Sequence, residues 1–271
     1  MIDIQRLTLG DNTFTYRVCG SGPDVLLIHG WTGTGRFWES LMQELAPHFR
    51  VWAIDLVGFG DSRNAHSAHS FSIDNHVELV VAFCESLGIS ANVIIGHSMG
   101  GAIAIKLALD YPAWLAKLVL VSPVVTGSFG WLRDHFLGSG VGRALLGVSQ
   151  HIWPLAIRSS RLGARALVQS SNPEVLTRVL DDLQKSTWAA AHGGLLSMIN
   201  IRLDRRLHEI RVPVLIISGS LDKVIPPQDS RSAAALIVGA QLLELPHCHH
   251  QTPDEDPDRF HQTVREFLVS A

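Results

Sequence analysis

Cysteine is scarce in this 271-residue chain. Only Cys19, Cys84 and Cys248 are present, scattered and odd in number. That excludes a disulfide framework and fits a reducing cytosol. Charge is sparse too: Asp, Glu, Lys and Arg make up 17% of residues and the formal net charge is −3. Nothing in that balance suggests a nucleic-acid partner. Low charge beside 46% hydrophobic residues also excludes a disordered chain. No apolar run approaches the length of a membrane span. Met1-Ile2-Asp3-Ile4-Gln5-Arg6 lacks the basic start and apolar centre of a signal peptide. These absences point to a globular protein of the cytoplasm, long enough for a sizeable core.

One short stretch carries the strongest chemical signal. Ile94-Ile95-Gly96-His97-Ser98-Met99-Gly100-Gly101 has an apolar approach, a Gly-x-Ser-x-Gly turn, and then helix-prone residues. The pattern predicts a strand over 92–95 and a helix over 99–110, with Ser98 on the tight turn between them. A serine so placed is held in a strained conformation with its hydroxyl presented. Its flanks must be small, as Gly96 and Gly100 are. This is the pattern of a nucleophile elbow. A Gly-Ser turn without chemistry is the plain competitor, and the other loops discriminate between the two.

Apolar runs at 25–28, 51–54, 118–121 and 214–218 read as strands buried on both faces, and 14–18 and 241–245 as further strands. Helical patterns fall at 36–46, at 73–87 before Gly88, at 99–110 and at 257–268. Such alternation predicts an α/β architecture, a mainly parallel sheet covered on both faces. From 124 to 206 the rhythm breaks into helical patterns alone. This segment reads as a cap inserted into a core made of 1–123 and 207–271. Large apolar groups in the cap, among them Trp131, Phe136, Trp153 and Trp188, either join cap to sheet or line an apolar pocket over Ser98. The cap's excess of Arg and Lys reads as a solvated face, or as favouring an anionic substrate.

A serine hydroxyl is a poor nucleophile at neutral pH. It needs a base within hydrogen-bond reach, and the base needs an orienting acid. In an open parallel sheet such groups lie in loops beyond the carboxyl ends of strands. Ser218-Gly219-Ser220-Leu221-Asp222 is one such loop, and Leu245-Pro246-His247-Cys248-His249-His250 is another. The order Ser98, Asp222, His250 is the chain order this elbow demands. Two N–H donors for an oxyanion are expected from Met99, at a helix start, and from Trp31, in the loop after 25–28. Adjacent residues such as His247 to His250 do not converge on one ion, so no metal site is expected. Asp55, His29 and His97 read as supports for the surrounding loops.

These pieces together resemble the α/β-hydrolase fold superfamily, in particular its serine esterase, lipase and carboxylesterase members. The matching residues are His29-Gly30-Trp31 with Trp38, Asp55-Leu56-Val57-Gly58-Phe59-Gly60-Asp61-Ser62, Gly96 to Gly101, Asp222 before Val224-Ile225-Pro226, and the histidine segment before Glu255-Asp256-Pro257. The resemblance implies an eight-stranded, mostly parallel sheet with one antiparallel strand, flanked by helices and capped by a helical insertion. It also implies a Ser–His–Asp triad. Alignment on Glu255 and Pro257 puts the base at His250 and sets His249 where the family carries glycine. The expected activity is hydrolysis of a small carboxylic ester with an apolar acyl or alcohol part, through an acyl-enzyme on Ser98 and without a cofactor. The same triad fits hydrolysis of a carbon–carbon bond, a thioester or a lactone. A ligand-binding or accessory protein on the same scaffold is the non-enzymatic reading.

Overall fold

A computed structural model of the protein describes residues 1–64, 71–90, 92–127 and 172–270. The chain opens with β1 (Asp3–Leu9), β2 (Asn12–Cys19) and β3 (Asp24–Ile28). A 3-10 turn at Gly35–Trp38 leads into α1 (Glu39–Leu45), then β4 (Arg50–Ile54) and the short β5 (Arg63–Asn64). Next come α2 (Ile73–Leu87), β6 (Val93–His97), α3 (Met99–Asp110) and β7 (Lys117–Val121). Two helices, α4 (Pro173–Lys185) and α5 (Trp188–Asn200), precede β8 (Val214–Gly219), α6 (Pro227–Leu236) and β9 (Gln241–Leu245). The chain closes with the single turn α7 (Thr252–Glu255) and α8 (Pro257–Val269).

The strands form one sheet in the order β1-β2-β4-β3-β6-β7-β8-β9. β2 runs antiparallel to both its neighbours, and every other pair along this path is parallel. The path therefore has the eight strands, one of them reversed, that the resemblance implied. Two-residue β5 pairs with β2 and adds a ninth strand off the path.

The apolar runs of the central strands serve two cores at once, because successive side chains point to opposite faces. Leu26, Ile28, Ile94, Leu118, Leu120 and Ile216 face the side covered by α2 and α3. Val25, Leu27, Ile95, Val119, Val121 and Ile217 face the side covered by α1 and α8. α2 starts where Ser72 accepts from the Asn75 N–H at 3.2 Å and stops at Gly88, whose φ of 62° closes the helix. Cys19, Cys84 and Cys248 are all buried free thiols. Burial pushes Cys84 up to about 12 and Cys248 up to about 11, far from reactive thiolates.

In the described part of 124–206, α4 and α5 are the regular elements, with no strand. The two ends of the segment meet, because the Leu203 N–H donates to the Val125 carbonyl at 2.9 Å. Three of its described basic residues are engaged by acids outside the segment. Arg178 grips Asp254 through two bonds of 2.7 and 2.6 Å, Lys185 reaches Asp61 at 3.2 Å, and Arg206 reaches Asp110 at 2.9 Å. Trp131, Phe136 and Trp153 lie outside the described residues. Among the described residues no helix is long and apolar enough to cross a membrane.

Candidate active site

The geometry around Ser98 follows from a strained backbone and two close approaches. Ser98 sits between β6 and α3 at φ 54° and ψ −114°, a conformation that L residues rarely adopt. The backbone holds it there. Its N–H donates to Val121 at 2.9 Å, and its carbonyl accepts from Gly101, Ala102 and Val124 at 3.0, 3.2 and 3.1 Å. A Cβ on Gly96 would lie 2.3 Å from the Gly100 carbonyl oxygen, and one on Gly100 2.3 Å from that of Ile28. Glycine at both positions is therefore a steric requirement of the turn. The Ser98 side chain makes no capping hydrogen bond to its own helix.

The histidine loop distributes its three imidazoles differently. His247 is exposed, at φ 67°. His249 lies 2.9 Å from Glu255 through Nδ1, and Glu255 also accepts the His249 and Gln251 backbone N–H groups at 2.8 and 3.0 Å. These bonds fix the turn with histidine in the position where the family carries glycine. His250 is buried, and its Nδ1 donates to Asp222 at 2.7 Å. The other Asp222 oxygen accepts from the Val224 and Ile225 N–H groups at 2.8 and 2.9 Å. Burial alone would raise the Asp222 carboxyl. The charge and hydrogen bond of His250 and the two backbone donors outweigh it, so the carboxyl is held below its ordinary value.

His97 and His29 are structural. His97 donates Nε2–H to the His250 carbonyl at 3.0 Å and packs its ring 4.6 Å from those of Phe37 and His250. Burial, reinforced by His250, drives its pKa well below the ordinary imidazole value, so it stays neutral. His29 accepts the Leu56 N–H on Nε2 at 2.9 Å and donates Nδ1–H to Gly30 at 2.7 Å. It thereby shapes the loop carrying Gly30 and Trp31. Asp55 holds the neighbouring loops, accepting from the Gly35 and Asp61 N–H groups at 2.8 and 3.2 Å and from Arg17 at 3.1 Å. Among the described residues, the backbone N–H groups of Trp31 and Met99 meet no protein acceptor.

Ser98 and His250 line one cleft with Gly30, Trp31, Phe37 and His97 from the core and Arg178, Val179 and Asp182 from α4. α5 closes over the Trp31 loop. The Trp31 indole N–H donates to the Ala191 carbonyl at 2.7 Å, and Gly194 approaches Met99 and Trp31 closely enough that a Cβ would lie 3.2 and 3.3 Å from them. Trp188 is not among the cleft residues; it stacks on His192 with ring centroids 4.6 Å apart. The α4 residues were missed by sequence reasoning. The readable signal was spacing: Val175, Val179, Asp182 and Ser186 share one helix face.

Asp182 is buried at 2% exposure. Burial raises its carboxyl to about 6, against the Thr34 hydrogen bond and the Arg36 and Arg178 charges, which lower it. The folded state thus binds its proton more tightly than the unfolded chain does. Stability falls as pH rises from about 4 to 6 and stays lower above that window. Asp182→Asn, which removes the buried charge but keeps its shape, is expected to stabilise the protein at pH 8 by about 3 kcal/mol, the gain fading near pH 4. Urea unfolding at the two pH values checks this; equal stabilities at pH 8 would contradict it.

The chain belongs to the family of the alpha/beta hydrolase fold, whose profile matches residues 23–257. An uncharacterized protein of Mycobacterium tuberculosis is 32% identical over 266 residues, covering 93% of this chain and 77% of the relative. A pimeloyl-[acyl-carrier protein] methyl ester esterase of Vibrio cholerae is 28% identical over 262 residues, covering 94% and 97%. A thermophilic esterase from Thermogutta terrifontis shares the fold with a TM-score of 0.79 over 98% of both chains, at 23% identity.

Proposed function

We propose that this protein is a serine hydrolase of carboxylic esters, with Ser98 as nucleophile, His250 as general base and Asp222 as its orienting acid. The observation that carries the reading is the buried His250–Asp222 hydrogen bond of 2.7 Å opening on the cleft that Ser98 lines in a strained turn. With Asp222 ionised and bonded to Nδ1–H, His250 presents Nε2 as the basic nitrogen. Ser98 attacks the ester carbonyl while His250 takes its proton. The free N–H groups of Met99 and Trp31 stabilise the oxyanion, and Met99 does so at the positive end of α3. His250 passes the proton to the leaving alcohol, then activates water to release the acid from Ser98. Residues 1–123 and 207–271 form the catalytic core, and 124–206 the cap that selects a small ester. The relative named as a pimeloyl-[acyl-carrier protein] methyl ester esterase supports the same reading.

A chromogenic ester series from acetyl to decanoyl, run with a serine-directed fluorophosphonate, tests it. The expected results are turnover that varies with acyl length and a covalent adduct on the peptide containing Ser98. Absence of turnover on every ester, thioester and lactone offered, together with no adduct, would favour a binding or accessory role.

A further inference from the structure

α4 places an unusual side chain in the cleft. Asp182 is almost wholly buried, and only one of its two carboxylate oxygens makes a hydrogen bond among the described residues. Oδ1 accepts from the Thr34 hydroxyl at 3.0 Å, and the Arg36 guanidinium stands 3.6 Å from the same oxygen, beyond hydrogen-bond range. Oδ2 accepts no hydrogen bond among the described residues. Oδ2 is not sealed from solvent, so its acceptor sites are open to water or a ligand. Arg178, one turn away on the same helix, spends both terminal nitrogens on Asp254. An open acceptor thus remains in the wall of the cleft that Ser98 and His250 line.

We propose that Asp182 is a specificity-determining residue whose free Oδ2 accepts a hydrogen bond from a neutral hydroxyl or amide N–H carried by the ester substrate. The proposal rests on the hydrolase reading and names the kind of ester preferred. A neutral donor is proposed because Asp182 already has the Arg36 and Arg178 charges near it, set partly against Asp55. It belongs to a part of the substrate away from the scissile carbonyl, since a carboxylate beside the developing oxyanion would repel it. The raised proton affinity of Asp182 agrees with an acceptor left short of partners. A buried acid that costs stability, in the wall of the cleft Ser98 lines, is what function at the expense of stability looks like.

The test compares matched esters bearing a hydroxyl or a methoxy group at the same position. One series varies the acyl part and another the alcohol part. A methoxy oxygen only accepts, so it cannot bond to a carboxylate. Wild type should favour the hydroxyl ester in at least one pair by about 10-fold or more in kcat/KM. In Asp182→Asn, whose amide offers a donor where Oδ2 was, that ratio should fall to about one or invert. A residue that merely latches α4 to Thr34 would leave the ratio unmoved, so equal ratios in wild type and variant across both series overturn the proposal. Turnover of the unsubstituted ester by wild type reports on the hydrolase reading separately. Should wild type hydrolyse none of them, calorimetric binding of the corresponding acids and alcohols gives the same hydroxyl-to-methoxy ratio. Its loss in Asp182→Asn supports the acceptor role, and its persistence refutes it.

Discussion

Ser98→Ala is expected to lower ester turnover by about 10⁴- to 10⁶-fold while leaving the fold intact. The large effect follows from chemistry. The oxyanion donors and the cleft survive, but no covalent intermediate forms, and the residual rate is that of water attacking a bound ester. The small structural effect follows from the turn. Ser98 is held by its backbone N–H and carbonyl, which alanine retains, and its side chain makes no capping bond to lose. Alanine inherits the φ of 54° without adding a branch at Cβ. The melting temperature should therefore stay within a few degrees of wild type, roughly the shift that 1 kcal/mol produces in a chain of this size. Steady-state kinetics on a short chromogenic ester, with a thermal melt of the same preparation, checks both halves. A variant that keeps more than about a tenth of the activity would remove Ser98 from the chemistry, whatever its place in the turn.

The parts of the fold that were legible in the sequence are those where burial leaves an unambiguous pattern. Residues 25–28 and 118–121 are apolar throughout because each must satisfy a core on either side of the sheet. Gln241–Leu245 and Ile73–Leu87 fall on the expected residues because turn chemistry and Gly88 mark their limits. β1 left no such trace. It is an edge strand, exposed along most of its length, and its register comes from pairing with β2. The helix expected over 36–46 begins instead as a 3-10 turn capped by Thr34. At the candidate site, Ser98, Asp222 and His250 were legible because each follows a strand whose end is fixed by the sheet. Arg178 and Asp182 were not. A charged residue on an amphipathic helix reads as solvent-facing, and only the docking of α4 on Thr34 and Asp254 buries them. Supports such as His97 and Asp55 were readable as such, since adjacency to a strained turn or a glycine-rich loop implies holding rather than reacting.

The histidine loop supplies the second large prediction, because two adjacent imidazoles each hold a carboxylate. His250→Ala should cost about as much as Ser98→Ala, on the order of 10⁴-fold or more, since a base and its nucleophile act as one unit. For the same reason the double variant should be no slower than either single one. His249→Ala should lose less than about tenfold. Its ring bond to Glu255 disappears, but its backbone N–H still donates to Glu255, and so does that of Gln251, so the turn that aims His250 persists. Its penalty falls on stability instead, about 1 kcal/mol for a lost hydrogen bond. The difference lies in burial and partner. His250 is sealed against an ionised Asp222 in the cleft, whereas His249 is half exposed and turned toward Glu255. Kinetics on the three variants side by side decides the assignment. Should His249→Ala abolish turnover while His250→Ala retains it, the base is His249, and the His250–Asp222 pair is a structural bond holding the loop.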